Sequence, residues 1–262
     1  MWIYLSPHFD DAILSCGGLI WQQAQAGQRV EVWTLCAGEV PAGPLTPFAQ
    51  ELHARWGTGA GSVARRRGED EAACRAVGAG WRRFTLPDCV YRRLPGGEPL
   101  VRGEDDLWQP IHPAEAARVE EIRDWIAGEV GGGSRPGLSP QAHLVAPLTI
   151  GGHVDHRLVR AAAEALGVRL WYYADYPYSS KEPFEPRRWL GDGYRVHSRR
   201  PAPAALAAWQ AGVAAYASQT SSFWKDEDEM RGAIEAYARR PEGHSLFRKG
   251  RKPTAPIQFT IL

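Results

Sequence analysis

The chain has 262 residues, of which 44% are hydrophobic and 23% are charged, and its formal net charge is +1. This length suffices for one large α/β domain, and the composition is typical of a folded globular protein. The near-neutral charge argues against nucleic acid or a membrane surface as a partner, and no run of residues approaches the roughly eighteen apolar residues of a membrane span.

The N-terminal part of the sequence predicts a β-α-β unit. Apolar residues 2–6 predict a buried strand, residues 10–26 a helix that ends at Gly27, and residues 29–36 a second strand. This succession predicts a parallel pair of strands with a right-handed crossover. Residues 37–61 are rich in Gly, Pro and Ala, and we expect them to form a long loop of the kind that walls an active site.

The rest of the chain continues the alternation of helices and strands. Helices are predicted over 63–77, 113–130, 154–166, 204–217 and 226–238, and strands over 83–86, 143–148, 168–173 and, as a late edge strand, 257–261. Residues 92–113 and 129–141 predict further loops or insertions. The alternation indicates a Rossmann-like, doubly wound α/β fold, with a mainly parallel sheet flanked by helices. We expect residues 1–262 to form a single domain.

The cysteines and the N-terminus bear on the cellular compartment. Cys16, Cys36, Cys74 and Cys89 show no C-x-x-C spacing, and their apolar neighbours predict buried, reduced thiols. No charged segment followed by a long apolar run opens the chain, and a cleavable signal peptide would remove candidate site residues that begin at His8. We therefore expect a cytoplasmic protein. The sequence leaves a homo-oligomer open.

Two polar clusters each follow a predicted strand. The first is Pro7-His8-Phe9-Asp10-Asp11, and the second is Gly151-Gly152-His153-Val154-Asp155-His156. Open α/β sheets bind ligands at the carboxyl ends of their strands. Catalytic zinc takes three ligands from imidazole and carboxylate groups and leaves one position for water. The pairing of the two clusters therefore favours a divalent-metal site.

The spacing suggests a division of roles within these clusters. His8, Asp11 and His156 could supply the three ligands. Asp10 could then accept a proton from water, and His153 could face an oxyanion. Asp155 could hold the other ring nitrogen of His153.

Other interpretations stand beside this one. Histidines spaced three apart are common in cores and caps, and Asp10 and Asp11 could simply cap a helix, since carboxylates favour a helix N-terminus. Ser15-Cys16-Gly17-Gly18 could suggest the phosphate loop of a nucleotide-binding Rossmann module. That segment lacks the G-x-G-x-x-G order, however, and two carboxylates precede it where a pyrophosphate would approach.

The motifs resemble those of the LmbE-like, or PIG-L, family of zinc-dependent N-deacetylases. Its His-x-Asp-Asp motif matches residues 8–11, and its His-x-Asp-His motif matches residues 153–156. Further similar positions are Arg66, Glu69, Ala72, Ala73 and Gly78 in one helix, Leu86-Pro87-Asp88, and Tyr216-Ala217-Ser218-Gln219. The resemblance thus touches most of the chain.

The resemblance implies a metal-dependent hydrolase that removes an acetyl or other acyl group from the amide nitrogen of an amino sugar or its conjugate, such as one of N-acetylglucosamine. It implies His8, Asp11 and His156 as ligands of Zn²⁺, although Fe²⁺ or another divalent metal suits the same donors. It also implies Asp10 as the general base, which then protonates the leaving amine.

The resemblance assigns further roles around the metal. His153 would stabilise the tetrahedral intermediate, oriented by Asp155. Arg66 and Asp88 would contact the sugar, although a solvated helix arginine and a turn aspartate are equally good structural interpretations. Trp56, Trp108 or Tyr91 could stack on a sugar ring, or could simply pack the loops.

The sequence departs from the family pattern at two positions. Ala12 replaces a glutamate that many members carry after the Asp-Asp pair, and Gly151 replaces a tyrosine that some sugar-thiol members carry. These departures leave a second possibility, a non-catalytic or structural-metal member that binds an amino sugar. They bear on the substrate more than on the metal, because the ligand set is complete.

Overall fold

A computed structural model describes residues 1–57, 61–131, 142–181 and 183–250 of the chain. Its strands are β1 (Trp2–Ser6), β2 (Val30–Thr34), β3 (Gly80–Arg83), β4 (His143–Pro147), β5 (Trp171–Tyr173), β6 (Arg195–Ser198) and β7 (Ser245–Arg248). Its helices are α1 (Asp11–Gln25), α2 (Pro47–Arg55), α3 (Ser62–Ala76), α4 (Ala116–Gly131), α5 (Val154–Ala165), α6 (Pro186–Leu190), α7 (Pro203–Ala214), α8 (Ala217–Thr220) and α9 (Glu227–Ala238).

The strands form a sheet in the order β3-β2-β1-β4-β5-β7-β6. Strands β1 to β5 are parallel, whereas β7 pairs antiparallel with both β5 and β6. The chain passes from β1 to β2 on one side and later returns beside β1 as β4, so the strand order reverses between β1 and β4. Ligands bind at such a point. The predicted doubly wound, mainly parallel α/β fold is confirmed.

Helices pack on both faces of the sheet. Side chains of β1 alternate between the two faces, so that Tyr4 lies in one core and Ile3 and Leu5 lie in the other. The first core holds residues of α1, α3, α7 and α9, including the buried Trp209, and the second holds residues of α4 and α5. Among the described residues, none of the helices has the length and apolar character that crossing a bilayer requires.

The prediction of a continuous loop over 37–61 is wrong, because helix α2 lies within it. Thr46 begins this helix by accepting a hydrogen bond from the Ala49 N–H at 3.1 Å, and Pro47 occupies the first helical position. The Gly/Pro-rich composition outweighed this local start signal. Residues 92–113 are largely irregular, as expected, with a 3₁₀ turn at Glu104–Trp108.

Several predicted boundaries also shift. The third strand is Gly80–Arg83 rather than 83–86, because Arg83 is the last residue paired with β2 and Thr85 instead bridges Cys36. The strand predicted over 168–173 begins only at Trp171. The helix predicted over 204–217 is interrupted at Tyr216, between α7 and α8.

The predicted edge strand at 257–261 lies outside the described residues, as does most of the loop at 129–141, whose first three residues belong to α4. Among the described residues, β6 and β7 make an antiparallel edge of the sheet that the sequence pattern does not predict. All four residues of β6 are exposed, so no apolar alternation marks that strand.

Candidate active site

The first motif turns the chain from β1 into α1. The Ser6 hydroxyl donates to the carbonyl of His8 at 2.5 Å and accepts the backbone N–H of Ala12 at 3.0 Å. The backbone N–H of His8 donates to Oδ2 of Asp11 at 2.7 Å. These bonds fix a tight turn that brings the His8 ring and the Asp11 carboxylate to the same side.

The second motif turns the chain from β4 into α5. Gly151 and Gly152 have φ values of 86° and 82°, in the left-handed region that favours glycine. His153 then caps α5, since its Nδ1 accepts the backbone N–H of Asp155 at 3.2 Å. The turn delivers the His156 ring from the first turn of α5 toward the first motif.

The Asp11 carboxylate joins the two motifs. Its Oδ2 lies 3.2 Å from Nδ1 of His8, and its Oδ1 lies 3.3 Å from Nε2 of His156. The other ring nitrogen of His156 is 2.7 Å from Oδ1 of Asp175, which follows β5. The three predicted metal ligands are therefore adjacent, and Asp175 holds one of them from behind.

The donor atoms suit a divalent cation. Within the described ranges, groups of possible ligand atoms that lie within 4.8 Å of one another are His8–His153–His156, His8–Cys36–Asp155 and Cys89–His153–Asp155. The four cysteines are free and buried, as predicted, and burial raises the pKa of the Cys36 and Cys89 thiols well above the usual range. Protonated thiols are poor metal ligands. Imidazole and carboxylate groups remain, a donor set typical of catalytic zinc.

The charges within the cluster also favour a bound cation. Burial opposes charge on His156, yet Asp11 and Asp175 raise its pKa to about 10. Burial also opposes charge on Asp11, yet His156 and His8 hold its pKa well below the usual range. The buried carboxylates thus require positive charge at the imidazoles, and a bound cation supplies such charge.

Asp10 lies beside this cluster without joining it. Its Oδ1 is 3.6 Å from Nη2 of Arg66, a side chain that stacks over the rings of both Phe9 and Trp56 at 5.4 Å. Burial and then the neighbouring Asp11 carboxylate raise the pKa of Asp10, while Arg66 lowers it. The raised pKa makes this carboxylate a stronger base than an ordinary aspartate, which suits it to accept a proton.

The structure brings the predicted sugar contacts to the same side. Oδ2 of Asp88 lies 3.6 Å from Nε2 of His8 and 4.0 Å from Nη1 of Arg66. Oδ1 of Asp88 also accepts the backbone N–H of Val90, so this residue is a turn cap as well. Arg66 is buried rather than solvated, which argues against the surface-helix interpretation.

The expectation that the Asp155 side chain holds His153 is wrong. The contact to His153 comes from the Asp155 backbone N–H, whereas the carboxylate lies 3.1 Å from Nε2 of His8 and 2.6 Å from Nη2 of Arg92. The reason is local, because at a helix start the second residue after the cap presents its amide rather than its side chain to the cap. The Asp155 carboxylate thus holds the ring of His8 in position.

Arg92 is a buried partner of Asp155 that no sequence pattern predicts. Besides Asp155, its guanidinium forms an ion pair with Glu115 at 2.7 Å and donates to the carbonyl of Pro87 at 3.0 Å. It stands in an irregular segment, so no periodic pattern marked it. Asp175 was also missed, although it follows β5 as the two motifs follow β1 and β4.

Tyr178 closes the other side of the cluster. Its ring is 6.2 Å from that of His156 and 5.6 Å from that of Trp108, which itself lies 5.5 Å from the His153 ring. A Cβ atom at position 151 would lie 2.6 Å from Cγ of Tyr178. The absence of a side chain at Gly151 therefore leaves the space that the Tyr178 ring occupies. Among the candidate stacking residues, Trp108 borders the site, whereas Trp56 stacks on Arg66.

The glycine pair of α1 has a packing role rather than that of a phosphate loop. A Cβ atom at Gly17 would lie 2.2 Å from Cδ1 of Trp209, and the indole N–H of Trp209 donates to the carbonyl of Ile13 at 2.7 Å. Gly17 and Gly18 lie inside α1, not at a helix N-terminus where phosphate binds. This observation removes the basis for the nucleotide-binding alternative.

Comparison with known proteins identifies the family. The model of the family described as "PIG-L: GlcNAc-PI de-N-acetylase" matches residues 3–167, more than half of the 262 residues. This chain belongs to the PIG-L family. Both histidine–aspartate motifs lie within the matched residues.

Two curated relatives are named 2'-N-acetylparomamine deacetylase. The protein of Niallia circulans is 28% identical over 211 residues, which make up 74% of this chain and 71% of the relative. The protein of Streptomyces fradiae is 31% identical over 193 residues, which make up 68% of this chain and 58% of the relative. The chain therefore spans less than two thirds of the second relative.

Solved PIG-L-like structures share the fold. The zinc-inhibited form of teicoplanin deacetylase Orf2 superposes with a TM-score of 0.79 at 28% identity, covering 96% of this chain and 99% of that one. The A40926 pseudoaglycone deacetylase Dbv21 gives 0.69 at 28% identity, covering 94% and 95%. Both neighbours are named as deacetylases.

The remaining PIG-L-like segments contact one another in this chain. The Glu69 carboxylate accepts the backbone N–H of Ser218 at 3.0 Å and its hydroxyl at 2.6 Å. The Tyr216 hydroxyl lies 2.6 Å from the carbonyl of Phe9, to which it donates, and 3.2 Å from Oδ1 of Asp70. The C-terminal segment therefore supports the first motif.

Proposed function

We propose that this PIG-L protein is a Zn²⁺-dependent hydrolase that removes an acetyl group from the amide nitrogen of an amino sugar or its conjugate. The observation that carries the proposal is the Asp11 carboxylate between the rings of His8 and His156, with Asp10 adjacent and outside the ligand set. Membership of the family and the names of the relatives support the same chemistry.

His8, Asp11 and His156 would hold the metal. We prefer Asp11 to His153 as the third ligand because its two oxygens face both imidazoles. Two histidines and one carboxylate form a ligand set found in catalytic zinc sites. When bound, the metal polarises the amide carbonyl and lowers the pKa of water.

Asp10 acts as the general base. It takes a proton from the attacking water and later gives it to the leaving amine, so one carboxyl group serves both steps. Burial and Asp11 raise its pKa toward the range that such shuttling needs, and Arg66 limits the rise.

His153 stabilises the oxyanion as a neutral hydrogen-bond donor. Burial, with His8 and His156 nearby, lowers the pKa of His153 to about 3, so its ring is uncharged at neutral pH. Its Nδ1 accepts the Asp155 N–H, which leaves the ring proton on Nε2. That N–H can donate to the oxygen on which negative charge develops. Arg66 and Asp88 contact the sugar hydroxyls.

The test is Asp10→Asn, assayed by release of free amine from N-acetylglucosamine and its conjugates, with metal content measured in parallel. We expect full metal content and a kcat reduced by about 100-fold or more, the usual contribution of general acid–base catalysis. The exposed Asp192→Asn is the control, with wild-type activity expected.

Two outcomes would contradict the proposal. Full activity of metal-loaded Asp10→Asn would show that Asp10 is not the base. A metal-loaded wild-type protein that releases no amine from any N-acetylated sugar would favour the non-catalytic, sugar-binding alternative.

A further inference from the structure

A cavity of about 540 Å³ opens beside the candidate metal site. Gly151, Trp108 and Tyr178 line it, and the last two also contact the rings of His153 and His156. The cavity thus begins where the proposed reaction takes place. Tyr178 lines it, whereas Arg66 and Asp88 are not among its lining residues.

The size of the cavity exceeds what the proposed reaction alone requires. A two-carbon acetyl group would occupy only a small part of it, whereas cavities of roughly 300–1,000 Å³ accommodate whole small organic ligands. Phe184, Trp189 and Ile150 add apolar walls. A second, largely apolar part of the substrate therefore fits here.

The charges at the rim are mainly positive. Arg157, Lys181 and Arg188 line the cavity, and Glu185 is the carboxylate among the described lining residues. Nε of Arg157 donates to the carbonyl of Gly152 at 2.7 Å, which fixes the guanidinium. Within the part of the chain that the structure describes, none of the three cations forms an ion pair. Three cations and one carboxylate around an apolar cavity favour an anionic group on its ligand.

We propose that this cavity binds an apolar portion of the substrate that carries an anionic group, and that it discriminates against cationic substituents. The proposal rests on the proposed function, because it assigns the cavity to the same substrate. Two parts of a substrate could supply this chemistry: an acyl chain longer than acetyl, or the group linked to the sugar.

The experiment uses two matched substrate series with N-acetylglucosamine as the common reference. The acyl series comprises glucosamine bearing N-hexanoyl, N-(5-carboxypentanoyl) or N-(6-aminohexanoyl) groups. The sugar-linked series comprises phenyl, 4-carboxyphenyl and 4-(aminomethyl)phenyl N-acetylglucosaminides. Release of free amine or free acid gives kcat/KM, and calorimetry gives the binding affinity of each compound for metal-loaded protein.

We expect the carboxylate to be preferred over the amine by about tenfold in one series, which identifies the part of the substrate that enters the cavity. Arg188→Glu should abolish or reverse this preference. Arg187→Glu is the matched control, because the adjacent Arg187 is exposed, pairs with Asp192 and does not line the cavity. Trp189→Ala should weaken binding of the apolar parent compound in the same series. N-Acetylglucosamine should be hydrolysed equally by wild type and by the control variant Arg187→Glu.

Equal use of carboxylate and amine in both series, or equal effects of Arg188→Glu and Arg187→Glu, would overturn the assignment of the cavity. If no acylated sugar is hydrolysed but the charge preference appears in binding, the proposed function fails and the cavity assignment stands. If N-acetylglucosamine is hydrolysed but neither kcat/KM nor binding affinity shows a charge preference, the proposed function stands and the cavity assignment fails.

Discussion

Nδ1 of His156 lies 2.7 Å from Oδ1 of Asp175, so a proposed metal ligand is held by a carboxylate from a different strand end. The other oxygen of Asp175 accepts the backbone N–H of Ile150 at 3.0 Å. Such outer carboxylates orient a ligating imidazole and raise its basicity. Asp175 therefore connects the ends of β4 and β5 behind the proposed metal site.

We predict that Asp175→Asn lowers affinity for Zn²⁺ by about 10- to 100-fold, because the amide removes a charge and cannot accept both hydrogen bonds. Competition with a chromophoric chelator measures this affinity. Asp192→Asn, which removes an exposed carboxylate, is the control and should leave the affinity unchanged. An unchanged affinity in Asp175→Asn would show that Asp175 does not support the ligand.

Arg92→Gln should destabilise the protein by about 3–5 kcal/mol, because it leaves the buried carboxylates of Asp155 and Glu115 without their cation. Urea unfolding measures the free energy. Arg118→Gln breaks an exposed helix pair with Glu121 and should cost less than about 1 kcal/mol. Similar losses for the two variants would mean that the buried ion pairs contribute no more than a surface pair.

Gly151→Ala and Gly167→Ala separate backbone strain from steric conflict. Both glycines have positive φ, 86° and 68°, but a Cβ at 151 meets the Tyr178 ring at 2.6 Å, whereas a Cβ at 167 meets nothing within 4 Å. We expect about 1–2 kcal/mol of destabilisation for Gly167→Ala and about 1–3 kcal/mol more for Gly151→Ala. Thermal or urea unfolding of both variants tests this, and equal losses would contradict the packing of Tyr178 against Gly151.

Asp70 should make stability depend on pH. Burial raises its pKa to about 6, against the effects of Arg83 and Tyr216, while an unfolded aspartate titrates at about 3.9. The folded state therefore binds more protons between these values, and the contribution of Asp70 to stability is lost as pH rises through this window.

Asp70→Asn has no carboxyl group to titrate at this position and serves as the reference. Relative to this variant, the unfolding free energy of wild type should fall by at most about 3 kcal/mol between about pH 4 and pH 6. Above about pH 6 the difference should stay constant. Unfolding free energies of both proteins measured across this range provide the test. A difference that stays flat or grows with pH would refute the raised pKa.

The elements that the sequence predicted best are those with a strong apolar pattern. The buried β1 and the helix after it were expected at nearly their observed bounds, because Trp2–Ser6 is fully apolar apart from its last residue. Strand β6 carries no such signal, since every residue in it is exposed. Helix α2 was missed although Thr46 and Pro47 mark its start, because the surrounding composition is typical of loops.

The two histidine–aspartate clusters could be predicted because each follows a strand in the sequence, and parallel strands bring their carboxyl ends together. The contact between Arg92 and Asp155 could not, since it joins residues 63 positions apart through an irregular segment. The position of the Tyr178 ring could not be predicted either, because it depends on the absence of a side chain at Gly151. The contacts behind the ligands arise from tertiary packing, which periodicity does not encode.

The support that Tyr216 gives to Phe9 limits how far this active site can be treated as a transferable unit. All the proposed metal ligands lie within the family-matched residues 3–167, yet Asp175 and Tyr216 come afterwards in the chain. A fragment or graft that ends at residue 167 would keep every proposed metal ligand but lose the groups that orient the ligands. Redesign of this catalytic centre must therefore carry segments that are distant in sequence, and recombination between relatives should exchange the first motif together with the residues around 216.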